Sequence, residues 1–551
     1  MSQNPNGNYW GSRPQPNPTN QPVQVKMRPD DDGKKSRSKV LPRVIIYGVV
    51  LVAAVIGLGY YWSQNRRKLM DRMGMNKVEL EVGPETTVIA GPKHPDGTID
   101  YVSSLNDQYG ALLSASDNAA VEMVRAIGPT AIPLEARAAT LKRLELGGMS
   151  QVSGEYFVTF YEYCREEGLT RPEQNRLRKQ YDAAQNSPWT ADQQPDAAKF
   201  IRSNEPAMQR LIDASHRRRY HLPLVSPSDP DRLMDVHRPL TGTTRDLVSA
   251  MIARAMLRAG SGDGDQAVND LLAIQRLARL YAAAVSDDEW RTGYALETLS
   301  LRAAASMAAA DVLSRTQLER LRDGIDKMPE LREPMHVVDR YCRYRTLDTL
   351  QTCAAEGLLD TLHTYYPDSI ETIGLPGAEP DYAEVMRRAN DHYDRQLQAL
   401  QVADGDLFRR QAGALGRQLR DLKIANDRIR FEGGAGEFNA EDLLFAELTG
   451  NYMHLRRQER MVDRENAMAR TALAVGLYRE KEGQLPQKLA DLQPVYLKQI
   501  PQDPHGQGPL RWTRTGDGGA KIYSVGLNGT DDGGETNIRT GADDPSVKFR
   551  P

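Results

Sequence analysis

The sequence predicts a mainly α-helical chain carried on a single transmembrane helix and closed by a small α+β module. Three observations carry this: one uncharged apolar run near the N-terminus, long stretches of helical apolar periodicity after it, and a turn-and-hairpin pattern close to the end. The 551 residues carry 71 Lys+Arg against 74 Asp+Glu, a formal net charge of −3. That balance excludes a chain devoted to neutralising phosphates, so no nucleic-acid partner is expected. Three cysteines, Cys164, Cys342 and Cys353, with no C-x-x-C, exclude a disulfide scaffold and a structural zinc site.

Residues 1–39 are rich in Asn, Pro and Gln and turn basic toward their end. With almost no aliphatic surface to bury, they are expected to be a disordered tail. Residues 40–65 form the expected anchor. Val44–Trp62 reads VIIYGVVLVAAVIGLGYYW, without a charge, and at about 1.5 Å per residue it matches a hydrocarbon core of roughly 30 Å. Tyr60, Tyr61 and Trp62 make an interfacial end, and Arg66, Arg67 and Lys68 follow in water. Lys and Arg are more numerous before the run (Lys26, Arg28, Lys34, Lys35, Arg37, Lys39, Arg43) than after it (Arg66, Arg67, Lys68, Arg72, Lys77). The bias predicts a single-pass protein of the cell membrane, with a cytoplasmic N-terminus, the bilayer as partner through Val44 to Trp62, and an exported body.

Residues 66–104 are expected to be an extended juxtamembrane segment, because Lys77–Ala90 is rich in β-branched residues and alternates roughly around Gly83-Pro84. Residues 105–439 are expected to be a helical bundle. In Asp246–Leu313, Leu247, Met251, Ala255 and Met256 stripe one helix, and Val268, Leu271, Leu272, Ile274, Leu277 and Leu280 stripe the next, across the turn SGDGD. Within that turn Asp265 is the expected N-cap. The hairpin resembles the tetratricopeptide type, but a strict repeat period is absent, so the bundle is irregular and only repeat-like. Further helices are expected over Pro334–Glu356, Tyr382–Val402, Leu407–Arg430 and Ala440–Lys481.

The common metalloprotease, hydrolase, nucleotide and dinucleotide motifs do not occur. His392, between Asp391 and Asp394, offers an oriented base or else a residue on a solvated helix face. The basic and tyrosine-rich strings His216–His221 and Asp339–Arg345 offer an anion patch or else Arg stems packed along half-buried helices.

Residues 440–551 are expected to be a long helix followed by an α+β module. A helix ends near Gly483, Pro501-Gln-Asp-Pro-His-Gly506 turns, and Leu510–Arg514 pairs with Ala520–Val525 across Gly516–Gly519. The loop Gly526–Gly534, GLNGTDDGG, sets Asn528, Asp531 and Asp532 among glycines, which suits a hard cation such as calcium or else a solvated Asn-Gly/Asp-Gly turn without metal.

The strings LYREKEGQLPQKLADL, DPHGQGPLRW and YSVGLNGTDDGG resemble the C-terminal globular part of type II secretion major pseudopilins. That resemblance covers about seventy residues and implies calcium at Asn528, Asp531 and Asp532. The chain departs from the family at its other end, where no prepilin-peptidase site precedes Val44. The anchor, HPDGTIDYV at His94–Val102 and the YSVGLNGTDDGG ending together resemble large membrane-anchored proteins of unknown function from planctomycete-type bacteria. The expected function is an envelope scaffold with a protein partner. The alternatives are an envelope hydrolase using two carboxyls of displaced titration, or an accessory of a secretion system.

Overall fold

The structure is a computed structural model describing residues 80–150, 155–357, 361, 380–432, 439–537 and 539–551. The chain divides after Leu69 into two units. The first, with the expected tail 1–39 and the run Val44–Trp62, lies outside the described residues. The second is mainly helical with a small strand module at its C-terminal end. Among the described residues no helix is long and apolar enough to cross a membrane.

In the segment expected to be extended, the described residues 80–104 are folded instead. Residues 83–88 turn back on themselves, with Val88 N–H donating to the Gly83 carbonyl at 2.9 Å and Thr86 and Thr87 buried. The Gly-Pro step that looked like a break between two strands opens this turn. Further on, Arg232, 1% exposed, donates to Asp96 Oδ2 and Thr98 Oγ1, both at 3.0 Å. This lead-in is thereby part of the folded body.

Side-chain caps set most helix starts. Asp100 caps α1 (Tyr101–Gly110) and Asn118 caps α2 (Ala119–Ile127); α3 is Leu134–Arg143. Capping boxes open α4 (Phe160–Glu166), from Thr159 and Glu162, and α5 (Arg171–Ala184), from Thr170 and Glu173. With α6 (Pro195–Ser203), these two helices enclose a small core of Cys164, Leu177 and Phe200, around which Phe160, Tyr163 and Tyr181 set their rings. Helix α7 is Glu205–Ser215.

The centre is α8 (Leu240–Gly260), α9 (Gly264–Ala282), α10 (Asp287–Ala309) and α11 (Arg315–Lys327). The expected hairpin is present and its stripes are buried apart from Leu280, which is partly buried, but Asp263, not Asp265, caps α9 by accepting the Gln266 N–H. Asp265 lies two residues further on, within the first turn, and pairs with Arg320. Small residues bring the helices close: a Cβ on Gly293 would lie 2.6 Å from the Ala278 carbonyl oxygen, so α9 and α10 touch backbone to backbone there.

A π-helical turn, Val338–Cys342, leads into α12 (Arg343–Glu356). Helices α13 (Tyr382–Leu400), α14 (Gly405–Glu432) and α15 (Ala440–Leu448) follow, and α16 (Leu455–Glu482) packs along α10 and α11. Gly483, at φ +68°, ends α16 in the left-handed conformation that glycine adopts without strain. All three cysteines are buried and free.

Strands β1 (Arg511–Arg514) and β2 (Ala520–Tyr523) form the expected antiparallel hairpin, with Trp512 opposite Ile522. After a long loop containing the two-residue ribbon of β3 (Thr536–Asn537) and β4 (Ala542–Asp543), β5 (Ser546–Phe549) joins β2, giving the order β1-β2-β5. Ile522 and Phe549 belong to the same continuous core as the helices, so the strand module is fused to the bundle.

Candidate metal centre

The loop between β2 and β5 is held from both ends by carboxylates. Asp503, 4% exposed in the Pro501–Gly506 turn, accepts the Ser524 hydroxyl at 2.7 Å and the Val525 N–H at 2.9 Å. The Asp-Pro turn and the Tyr-Ser strand are therefore stapled together where the loop departs. Asp543 Oδ2 accepts the N–H groups of Leu527 and Asn528, at 2.9 and 3.2 Å. Gly526, at φ +65°, lies against it: a Cβ there would sit 2.1 Å from Asp543 Oδ1, so only glycine fits. Asp544, fully buried, accepts the Asp532 N–H at 2.8 Å and the Gly534 N–H at 3.0 Å through Oδ2.

These contacts gather Asp532, Asp543 and Asp544, each offering an oxygen within 4.8 Å of the others. Asp543 Oδ1 and Asp544 Oδ1 are buried without a hydrogen-bond partner. Burial, reinforced by the charges of Asp532 and Asp531, raises the Asp544 carboxyl above the ordinary range against its two backbone donors. At an effective dielectric near 20, each close carboxylate pair costs roughly 3 kcal/mol. A divalent cation would relieve that repulsion and give the orphaned oxygens a partner, and oxygen-only donors suit calcium or magnesium. The Lys521 ammonium is held by the Gly533 carbonyl.

Of the three residues expected as ligands, only Asp532 joins this cluster. Asn528 turns its amide nitrogen to Asp532 Oδ2 and the Gly541 carbonyl, both at 3.1 Å, and spends its oxygen on the Thr530 N–H. Asp531 accepts the Gly533 N–H and lies 3.5 Å from Arg511. Asp543 and Asp544 escaped the sequence reading because the ribbon β3–β4 intervenes. The signal for them was the acid pair preceding Pro545.

No family model, curated protein or solved structure matches the chain. The other marked residues resolve into packing. His392 is neither a base poised by acids nor a residue on a solvated face. It is fully buried with its ring edge-on to Phe445, while Asp394 pairs with Arg343 and Asp391 with Arg395. In the basic string, Tyr220 lies 4.3 Å from the Tyr281 ring, and Arg217 pairs with Glu122. Two further carboxyls of raised titration have their oxygens engaged. Burial pushes Asp348 up to about 6, and its oxygens take the Leu233 N–H and the Gln351 amide. Burial pushes Glu459 up to about 7, with Arg456 opposing.

Proposed function

We propose that this chain is a membrane-anchored envelope interaction protein whose C-terminal module is clamped by calcium held on Asp532, Asp543 and Asp544. The observation that carries the clamp is the orphaned Oδ1 of fully buried Asp544 within a three-carboxylate cluster. The charge-free run Val44–Trp62 supports the anchor, and the flanking Lys/Arg bias supports an exported body. The scaffold reading is supported by a core continuous from Ile99 to Phe549 and by the engagement of Asp348, Asp270 and Glu459 in structural bonds.

The test is thermal melting of the detergent-solubilised full chain in millimolar calcium against chelator. The melting temperature should rise with calcium in the wild type and stay put in Asp544→Asn, as linkage requires of a ligand bound by the native state alone. A wild-type curve indifferent to calcium and magnesium would sink the clamp. Alkaline carbonate extraction tests the anchor, since a spanning helix keeps the chain in the membrane pellet.

A further inference from the structure

Among the described residues strand β5 is an edge strand, paired with β2 and with no second neighbour in its sheet. The Ser524 N–H donates to the Pro545 carbonyl at 3.2 Å, and this fixes the phase of the ladder. Val547 and Phe549 turn their backbone groups toward β2, and Ser546 and Lys548 turn theirs to the open side. That open side is one wall of a cleft of about 690 Å³ between the strand module and helices α10 and α16. Met461 and Met468 of α16 give the cleft adaptable apolar surface.

The cleft also holds positive charge that its own acids do not fully use. Arg464, 4% exposed, lines it with Nε buried and unpartnered. Its Nη2 and that of Arg302 share one oxygen of Glu465, at 2.6 and 2.9 Å. Lys548 stands exposed on the rim, and the remaining acid, Asp543, belongs to the cation cluster.

We propose that this cleft takes an extended peptide segment with an acidic side chain. It adds as a strand along the outer edge of β5 and sets its carboxylate between Arg464 and Lys548. Main-chain bonds to Ser546 and Lys548 supply affinity, and the methionines and cations read alternate side chains, over an edge of roughly 13 Å. This rests on the interaction-protein reading and specifies the chemistry of the partner.

The probe is the fluorescein-labelled peptide Thr-Val-Asp-Val-Glu-Val-Thr, titrated into the detergent-solubilised full chain and followed by anisotropy. Saturable binding is expected, weakened roughly tenfold or more when the acids become amides and when alternate backbone nitrogens are methylated. Lys548→Pro removes the outward N–H while sparing the inner ladder and should abolish binding; Lys548→Glu, which leaves the backbone intact, should weaken it. No saturable binding, or undiminished binding of the methylated peptide, overturns the proposal. Self-association lost in Lys548→Pro but indifferent to the peptide also overturns it, since the occupant is then a second copy. Crosslinking in native membranes separates the two levels. A partner captured equally by wild type and Lys548→Pro leaves the interaction reading standing and removes this site, whereas no partner in either removes the reading itself.

Discussion

The side chain of Gln351 closes on both backbone groups of Ile99: Oε1 accepts the Ile99 N–H at 2.8 Å and Nε2 donates to the Ile99 carbonyl at 2.7 Å. Both residues are fully buried, so this contact from α12 stands in for a rung of β-ladder and pins the segment that leads into the body. Gln351→Ala leaves two buried backbone groups unpaired at a cost of roughly 2 to 4 kcal/mol. The melting temperature should fall, and trypsin should cut at Lys93 in the variant well before it does so in the wild type. Equal cleavage rates would show that the segment is held elsewhere.

Arg254 and Asp270 join α8 to α9 through two bonds, at 2.7 and 3.1 Å, with Asp270 fully buried and also taken by Arg258. Asp270→Ala leaves Arg254 and Arg258 with half-exposed Glu205 as their remaining carboxylate partner, at 2.8 and 3.1 Å, and should cost roughly 3 kcal/mol. Replacing Arg254 and Asp270 together by Met and Leu should recover much of that loss in urea unfolding. A double variant as weak as Asp270→Ala would show that packing at this site, not charge, dominates.

Two glycines predict opposite outcomes for one added methyl. Gly293→Ala drives a Cβ against the backbone of α9, at 2.6 Å from both Ala278 O and Ala282 N, and should destabilise by several kcal/mol, on the order of 3. Gly242, near the start of α8, has nothing within 4 Å of the position where a Cβ would stand, so Gly242→Ala should stabilise by about 0.5 to 1 kcal/mol. Melting curves of the pair decide whether α9 and α10 approach as closely as described.

The helical centre was legible because Leu271, Ile274 and Leu277 repeat at the period of a buried face, and the Gly/Asp turn marks where it reverses. Asp263 and Asp265 could not be ranked as caps, since both suit the role and only the helix register chooses. His392 was misplaced by its acidic flanks, although Val385, Ala389, His392 and Gln396 already share one face at helical spacing, and all four are buried. Two of the three members of the cation cluster were invisible because Asp543 and Asp544 meet Asp532 only after the chain folds back through β3 and β4. The pairing of Arg254 with Asp270 joins two helices of ordinary polarity, and nothing local marks it.

Glu459 and His392 predict pH dependences of opposite sign. Burial raises the Glu459 carboxyl to about 7 from 4.5, so the folded state keeps a proton that the unfolded chain releases above about pH 4.5. Its contribution is complete below 4.5 and is lost as pH rises through 7, a change of roughly 3 kcal/mol at 1.36 kcal/mol per unit. Burial depresses His392 to about 4 from 6.5, with the Arg395 charge assisting. The folded state keeps it neutral, and stability is lost as pH falls from 6.5 through 4, again by roughly 3 kcal/mol. Between about pH 4.5 and 6.5 the two slopes oppose each other, so a wild-type curve alone cannot separate them. Differences can: the stability of Glu459→Gln relative to wild type should climb steadily from pH 4.5 to 8, and that of His392→Gln should climb from pH 7 down to 4. Urea unfolding at five or six pH values reads both, and a variant curve parallel to wild type across its window would mean that the group titrates alike in the folded and unfolded chains.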